Sequence, residues 1–150
     1  MNLNQFCNVL ESNKYQYMVM YISACSFNKK FVKKTKENYD SVIRHLVSCF
    51  EETLRLSNEK FNKEQIIILL DLKDVKMKHL EMRFMKEVIH LFEHQYPDRL
   101  KYCIIINHSF IIKILYKIIY PLIDKDTRKK FVWEKNGRLQ NVKLDDDCSS

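Results

Sequence analysis

The sequence predicts an α/β fold, a small and mostly parallel sheet with covering helices, and three stretches carry that expectation. Glu64 to Leu72 (E-Q-I-I-I-L-L-D-L) and Tyr102 to Asn107 (Y-C-I-I-I-N) are continuous apolar runs, each too short for an isolated helix. Runs of that kind suit parallel strands buried on both faces. Between them, Met77 to Tyr96 places Met77, Leu80, Phe84, Val88, Leu91 and Gln95 on one side of a helix. Strand, helix, strand at this spacing is a βαβ unit.

Taken in order, residues 2 to 13 read as a short helix or an arm. Tyr15 to Ser23 (Y-Q-Y-M-V-M-Y-I-S) is β-branched and aromatic-rich and reads as a first strand. Lys29, Lys30, Lys33, Lys34 and Lys36 then lead into a helix of about 20 residues ending near Ser57 and Asn58. Tyr39, Ile43, Leu46, Val47, Phe50 and Leu54 form its apolar stripe. The lysine run is either a solvated helix start or a patch facing a membrane. After the βαβ unit, Ser109 stands at a helix N-cap position, Pro121 breaks that helix, and Asp124 caps a short one through Arg128 and Lys129. Phe131-Val132-Trp133 reads as the last strand of a single domain over residues 1–133. From Glu134 the chain turns polar, with a turn expected at Asn136-Gly137 and a polar tail over residues 134–150.

Composition excludes several classes. Gly137 is the single glycine in 150 residues, so loops that cradle phosphate on several glycines, in Walker or dinucleotide-binding fashion, are ruled out. Five cysteines, an odd number with no C-x-x-C, fit a reducing compartment. The N-terminus lacks the basic and apolar regions of a signal peptide, and no lipidation motif is evident. These features lead to an expectation of a cytoplasmic protein. A net charge of +7 favours acidic partners, nucleic acid or anionic membrane. No nucleic-acid module is present, and the aromatics lie in apolar elements instead of among the lysines, so no specific nucleic-acid partner is expected.

His90-Leu91-Phe92-Glu93-His94 matches an H-x-x-E-H zinc pattern. On a helical projection, however, His79, Arg83, Lys86, His90 and His94 share a convex, cation-rich face opposite Phe84, Val88 and Leu91. No metal and no cofactor are expected, and no residue set supports a chemical step. That histidine face is either simply solvated or strengthens binding to an anionic surface as pH falls.

The stretch Ser109 to Ile123 (S-F-I-I-K-I-L-Y-K-I-I-Y-P-L-I) is apolar nearly all round, relieved by Lys113 and Lys117. Such a helix is buried, lies in a membrane, or moves between a closed position and an apolar partner. A membrane span fails, because Asn107, His108 and Ser109 interrupt the run and both lysines would sit in hydrocarbon.

Three linked motifs, I-I-I-L-L-D-L-K-D (66–74), H-Q-Y-P-D-R-L-K-Y-C-I-I-I-N-H-S (94–109) and Y-P-L-I-D-K-D-T-R-K-K-F-V (120–132), resemble the CRAL-TRIO lipid-binding domain of phosphatidylinositol transfer proteins. The resemblance implies a CRAL-TRIO-like cup, with a sheet flooring an apolar pocket and the helix after the I-I-N strand acting as a mobile gate. On that reading Phe110, Ile111, Ile114, Leu115, Ile118, Ile119 and Leu122 form the gate and tail pocket. Asp98 and Lys130, with Lys129 and Arg128, hold the headgroup. Lys113, Lys117, Lys29, Lys30, Lys33 and Lys34 would face the membrane. Ile66 and Ile68 replace hydroxyl residues that the family uses for phosphatidylinositol, which leaves room for a more highly phosphorylated headgroup or an apolar ligand. The family's preceding helical region and closing L-P-x-x-x-G-G segment have no counterpart here, so the exposed apolar surface is expected to meet a membrane or a second copy of the chain. The expected function is binding, and transfer or presentation, of a phospholipid, a phosphoinositide first of all, by a homodimeric, peripherally membrane-associated protein. The alternative is an interaction module with a collapsed pocket that uses the gate helix as its interface.

Overall fold

The computed structural model describes residues 1–12, 14–135 and 138–140. Its sheet has six strands in the order β1 to β6: β1 (Cys7–Ser12), β2 (Tyr17–Ser23), β3 (Ile66–Asp71), β4 (Leu100–Ile106), β5 (Phe131–Lys135) and β6 (Arg138–Gln140). Strands β2 to β5 are parallel, and β1 and β6 pair antiparallel at the two edges. The expected α/β class and mostly parallel sheet are present. The helices are α1 (Leu3–Phe6), α2 (Lys29–Lys34), α3 (Lys36–Phe61), α4 (Met82–Gln95), α5 (Phe110–Ile119) and α6 (Lys125–Arg128).

The parallel strands lie in sequence order, and crossovers between parallel strands share one hand, so successive helices fall on the same face of the sheet. Side chains alternate across that sheet. On the helical side, Met20, Ile66 and Ile68 meet Val42, Leu46 and Phe50 of α3 and Phe84 of α4. Further along, Cys103 and Ile105 meet Ile112 of α5, with Phe131 and Trp133 packed beside them. On the opposite face Val19, Ile67, Ile104 and Val132 form a second apolar layer, and no helix residue enters it among the described residues.

Several boundaries differ from the sequence reading. Residues 7–12 are an edge strand and not an arm, because Cys7 and Val9 alternate inward against α3. The lysine run forms a helix of its own: Thr35 is extended, and its hydroxyl accepts from the Asn38 amide (3.0 Å), restarting the chain as α3. That helix runs to Phe61 and ends on Asn62, whose φ of 53° takes the left-handed position often filled by glycine. The helix expected from Met77 begins at Met82, since the Glu81 carboxylate caps the Phe84 amide at 2.6 Å. Met77–His79 is a separate 3-10 turn, so His79 does not share the face of His90 and His94. The gate helix stops at Ile119, and Tyr120–Leu122 is a 3-10 turn containing Pro121. Ser109 holds the N-cap position without a side-chain capping bond, whereas Asp124 accepts from the Thr127 amide (2.9 Å) as expected. The sheet continues past Trp133 through Lys135 and adds Arg138–Gln140. The Asn136-Gly137 turn and residues 141–150 lie outside the described residues.

Candidate functional site

An apolar cavity of about 280 Å³ lies between the helical face of the sheet, α4 and α5. Its floor is built from Ile68, Leu70, Cys103 and Ile105, its side wall from Met85, Val88 and Phe92, and its roof from Ile112, Tyr116, Ile119 and Ile123. The volume stands just below the roughly 300–1,000 Å³ of small-molecule sites. Among the lining residues, His79, Glu81, the Tyr116 phenol, the Trp133 indole and the Cys103 thiol carry polar groups, and Glu81 is already engaged as the α4 cap. Burial pushes the Cys103 thiol up to about 12, so it behaves as a small neutral hydrophobe.

The roof helix has two unlike sides. Ile112 is buried, and the Tyr116 ring stands edge-on to Trp133 at 5.1 Å and to Phe131 at 6.0 Å. Outward, Phe110 is 77% exposed, Ile114 51% and Ile118 55%, with exposed Lys113 and Lys117 beside them. Leu122 is also outward at 40%. Of the residues assigned to the tail pocket from sequence, only Ile119 lines the cavity among the described side chains. Phe110, Ile114, Ile118 and Leu122 face away from it, and the side chains of Ile111 and Leu115 lie outside the described set. The reason is helical phase: with α5 anchored by Ile112 and Tyr116, residues 110, 114 and 118 fall on the far side.

Both ends of the roof are tied by polar contacts. At the entry, Asn107 has a φ of 56° and donates from Nδ2 to Asp71 Oδ1 at 2.8 Å. Asp71, the acid of the D-L-K motif, also accepts from the Tyr21 hydroxyl (2.6 Å) and the Lys73 amide (3.0 Å). Burial alone would raise the Asp71 pKa, but bonds from Asn107, Tyr21 and Lys73 outweigh it and hold the carboxyl below its ordinary range. His108 bonds through Nε2 to the Glu134 carbonyl at 2.8 Å. At the exit, Arg128 Nε donates to the Tyr120 carbonyl at 3.1 Å, and its guanidinium lies 3.9 Å from the Tyr120 ring centroid. The Asp124 amide donates to Glu93 Oε1 at 3.0 Å, joining the same corner to α4.

The headgroup residues expected from sequence lie at the amino ends of the parallel strands. Asp98 is exposed, with a φ of 60° in the turn leading into β4, and its carbonyl accepts from Gln65 Nε2 at 3.0 Å. Lys129 and Lys130 lie between α6 and β5, and Arg128 is the clamp on Tyr120. None of these four lines the cavity, and no ion pair joins Asp98 to Lys130 among the described residues. The lysines of the basic run sit elsewhere, on α2 at the carboxyl ends of the strands, where Lys29, Lys30, Lys33 and Lys34 border a groove with Lys78 and His79. His90 and His94 are exposed on α4 with ring centroids 3.9 Å apart. Sequence reasoning did not find the roof residues Ile112, Tyr116 and Ile123, the Asp71 hub or the Arg128 clamp. The spacing of 112, 116, 119 and 123 is a helical stripe, yet in a helix apolar all round it does not stand out from 110, 114 and 118.

A helix-roofed apolar cavity on a mostly parallel sheet, with an exposed apolar stripe on the roof, places the chain among α/β domains built around an apolar cavity. The chain belongs to the CRAL/TRIO domain family, whose model matches residues 3–148. Among curated relatives, Patellin-6 of Arabidopsis thaliana is 27% identical over 122 residues, 74% of this chain and 30% of that protein. Phosphatidylinositol transfer protein SFH5 of Vanderwaltozyma polyspora is 32% identical over 116 residues, 72% of this chain and 39% of that protein. SFH5 of Kluyveromyces lactis is 27% identical over 111 residues, 70% and 37% respectively. The crystal structure of Sfh5 superposes with a TM-score of 0.68 at 23% identity, over 87% of this chain and 49% of that one, a likeness of fold. The chain thus spans less than half the length of these relatives. No described helix is long and apolar enough to cross a membrane.

Proposed function

We propose that this chain binds a membrane phospholipid, a phosphoinositide in the first instance, with acyl chain in the cavity and α5 as the movable roof. The observation that carries the reading is the two-sided α5: Ile112, Tyr116 and Ile119 close an apolar cavity while Phe110, Ile114 and Ile118 stand in solvent. An exposed apolar stripe beside lysines matches the interface of an anionic bilayer, where apolar groups enter the acyl boundary and lysines stay at the headgroups. Docking there lets the roof exchange water for lipid at little cost in buried area, and so supports loading or presentation of lipid at the membrane. The relatives named as phosphatidylinositol transfer proteins support the substrate class. The Glu81 carboxylate is taken up as the α4 cap and burial keeps the Cys103 thiol protonated, which supports a binding role for the cavity.

The test is organic extraction of the purified chain followed by mass spectrometry, alongside sedimentation with vesicles. Stoichiometric phospholipid in the extract, and uptake of a fluorescent acyl lipid from vesicles, are the expected results. Empty protein that ignores vesicles would sink the proposal and make the α5 stripe a protein interface, with light scattering then reporting whether a second copy covers it.

A further inference from the structure

Five lysines gather at one place, the groove between α2 and the turn Met77–His79. Lys29, Lys30, Lys33 and Lys34 reach it from α2, and Lys78 reaches it from the turn. None of these five makes an ion pair among the described residues. The groove is large, about 1050 Å³. Two residues, Phe27 and His79, line both this groove and the apolar cavity. The basic surface and the apolar interior are therefore neighbours across a single wall. The site containing Asp98, by contrast, shares no lining residue with the cavity.

We propose that the α2 groove is the headgroup site of the lipid whose tail lies in the cavity, and that it recognises a polyphosphorylated headgroup. This rests on the lipid-binding reading above. The groove lies outside the carboxyl ends of the parallel strands, where α2 and the Met77–His79 turn follow β2 and β3. Lysine ammonium groups on flexible stems suit a headgroup with several separated phosphates, each met as a point charge. His79 donates no side-chain bond in the described structure: its Nδ1 accepts from the Lys76 amide at 2.9 Å, leaving Nε2 for the ligand. Burial first, then Lys78 and Lys76, lowers its pKa. The assignment moves the headgroup from Asp98 and Lys130 to the other end of the sheet.

The experiment compares full-length Lys29→Ala/Lys33→Ala/Lys78→Ala with Lys129→Ala/Lys130→Ala and wild type. Probes are phosphatidylcholine vesicles containing phosphatidylinositol bisphosphate, vesicles of equal charge made with phosphatidylserine, soluble inositol trisphosphate, and a neutral fluorescent acyl lipid. The triple variant is expected to bind the bisphosphate vesicles about 100-fold more weakly, roughly fivefold for each of the three lysines. It should keep wild-type uptake of the neutral acyl probe, which confirms an intact fold and cavity. The Lys129/Lys130 variant should change by less than about twofold, and inositol trisphosphate should bind wild type and perturb the His79 ring resonances. Unchanged bisphosphate binding in the triple variant overturns the inference, as does an equal loss on phosphatidylserine vesicles, which would reduce the groove to general charge. Wild type that binds inositol trisphosphate but takes up no acyl probe removes the lipid reading itself, and with it the claim that groove and cavity serve one ligand.

Discussion

Removing the outward stripe of α5 by Phe110→Ala/Ile114→Ala/Ile118→Ala should separate membrane affinity from stability. The three side chains are 77%, 51% and 55% exposed. Burying a whole side chain of this kind is worth about 2.5 kcal/mol, so the exposed fractions scale to roughly 4.5 kcal/mol for the stripe on entering a bilayer interface. Alanine retains part of that area, which leaves a loss of about 3–4 kcal/mol, or between about 100- and 1,000-fold in partitioning. Folding should hardly respond, because exposed substitutions usually fall within about 0.5 kcal/mol. Ile112→Ala on the cavity side is the contrast. That residue is 4% exposed, and its truncation should cost about 2–5 kcal/mol of stability. Vesicle sedimentation and urea unfolding on the same preparations read both quantities. Equal partitioning of the triple variant and wild type would refute the membrane-facing assignment. A fall in its stability comparable to Ile112→Ala would refute the two-sided description of the helix.

Three further outcomes follow from the polar ties. Asp98→Gly should leave urea stability unchanged or slightly raised, while Asp98→Ala should lower it by about 1 kcal/mol, since the left-handed turn at φ 60° suits glycine and disfavours alanine; equal effects would remove the turn role. The Asp71 carboxyl is depressed in the fold, so its stabilisation is present above the unfolded-state value of about 3.9 and is lost as pH falls through the folded value. Asp71→Asn should therefore unfold about 1–2 kcal/mol more easily at pH 7 and show a shallower loss between pH 5 and 3 by thermal melts, and a parallel pH profile would count against it. Arg128→Lys loses the planar stack on Tyr120 and the Nε bond, so amide exchange at 119–122 should quicken about tenfold by mass spectrometry; unaltered protection would show that the clamp does not hold the roof.

The parallel sheet was legible because its strands announce themselves by uninterrupted runs such as Ile66–Asp71, whose burial on both faces leaves no polar alternation to confuse. The first strand of the sheet was not, because Cys7 and Val9 are an inward pair too brief to outweigh the polar residues around them. The split between α2 and α3 turned on one side chain, Thr35, whose hydroxyl competes for the next amides. Gate residues were legible as a segment and not as a face. Phase within an all-apolar helix is set by what it packs against, here Phe131 and Trp133, and neither lies near it in sequence. Asp98 and Lys130 carry the family motif, yet whether such residues meet a ligand depends on which end of the sheet they occupy, a tertiary property. The linkage of Lys29 and Lys78 across one groove, 49 positions apart in the numbering, is of the same kind.

The sequential strand order leaves one helical layer over the cavity floor, and that floor is a hydrogen-bonded plate. A plate of this kind cannot recede, and α4 is pinned through Glu93 to the corner that holds the exit of α5. Capacity is then governed by a single coordinate, the height of α5 above β4 and β5. A bulkier tail can be admitted only by a proportionate lift of that helix, so its position reads out the size of the guest, and a fluorophore near Phe110 would turn the domain into a gauge of acyl-chain volume.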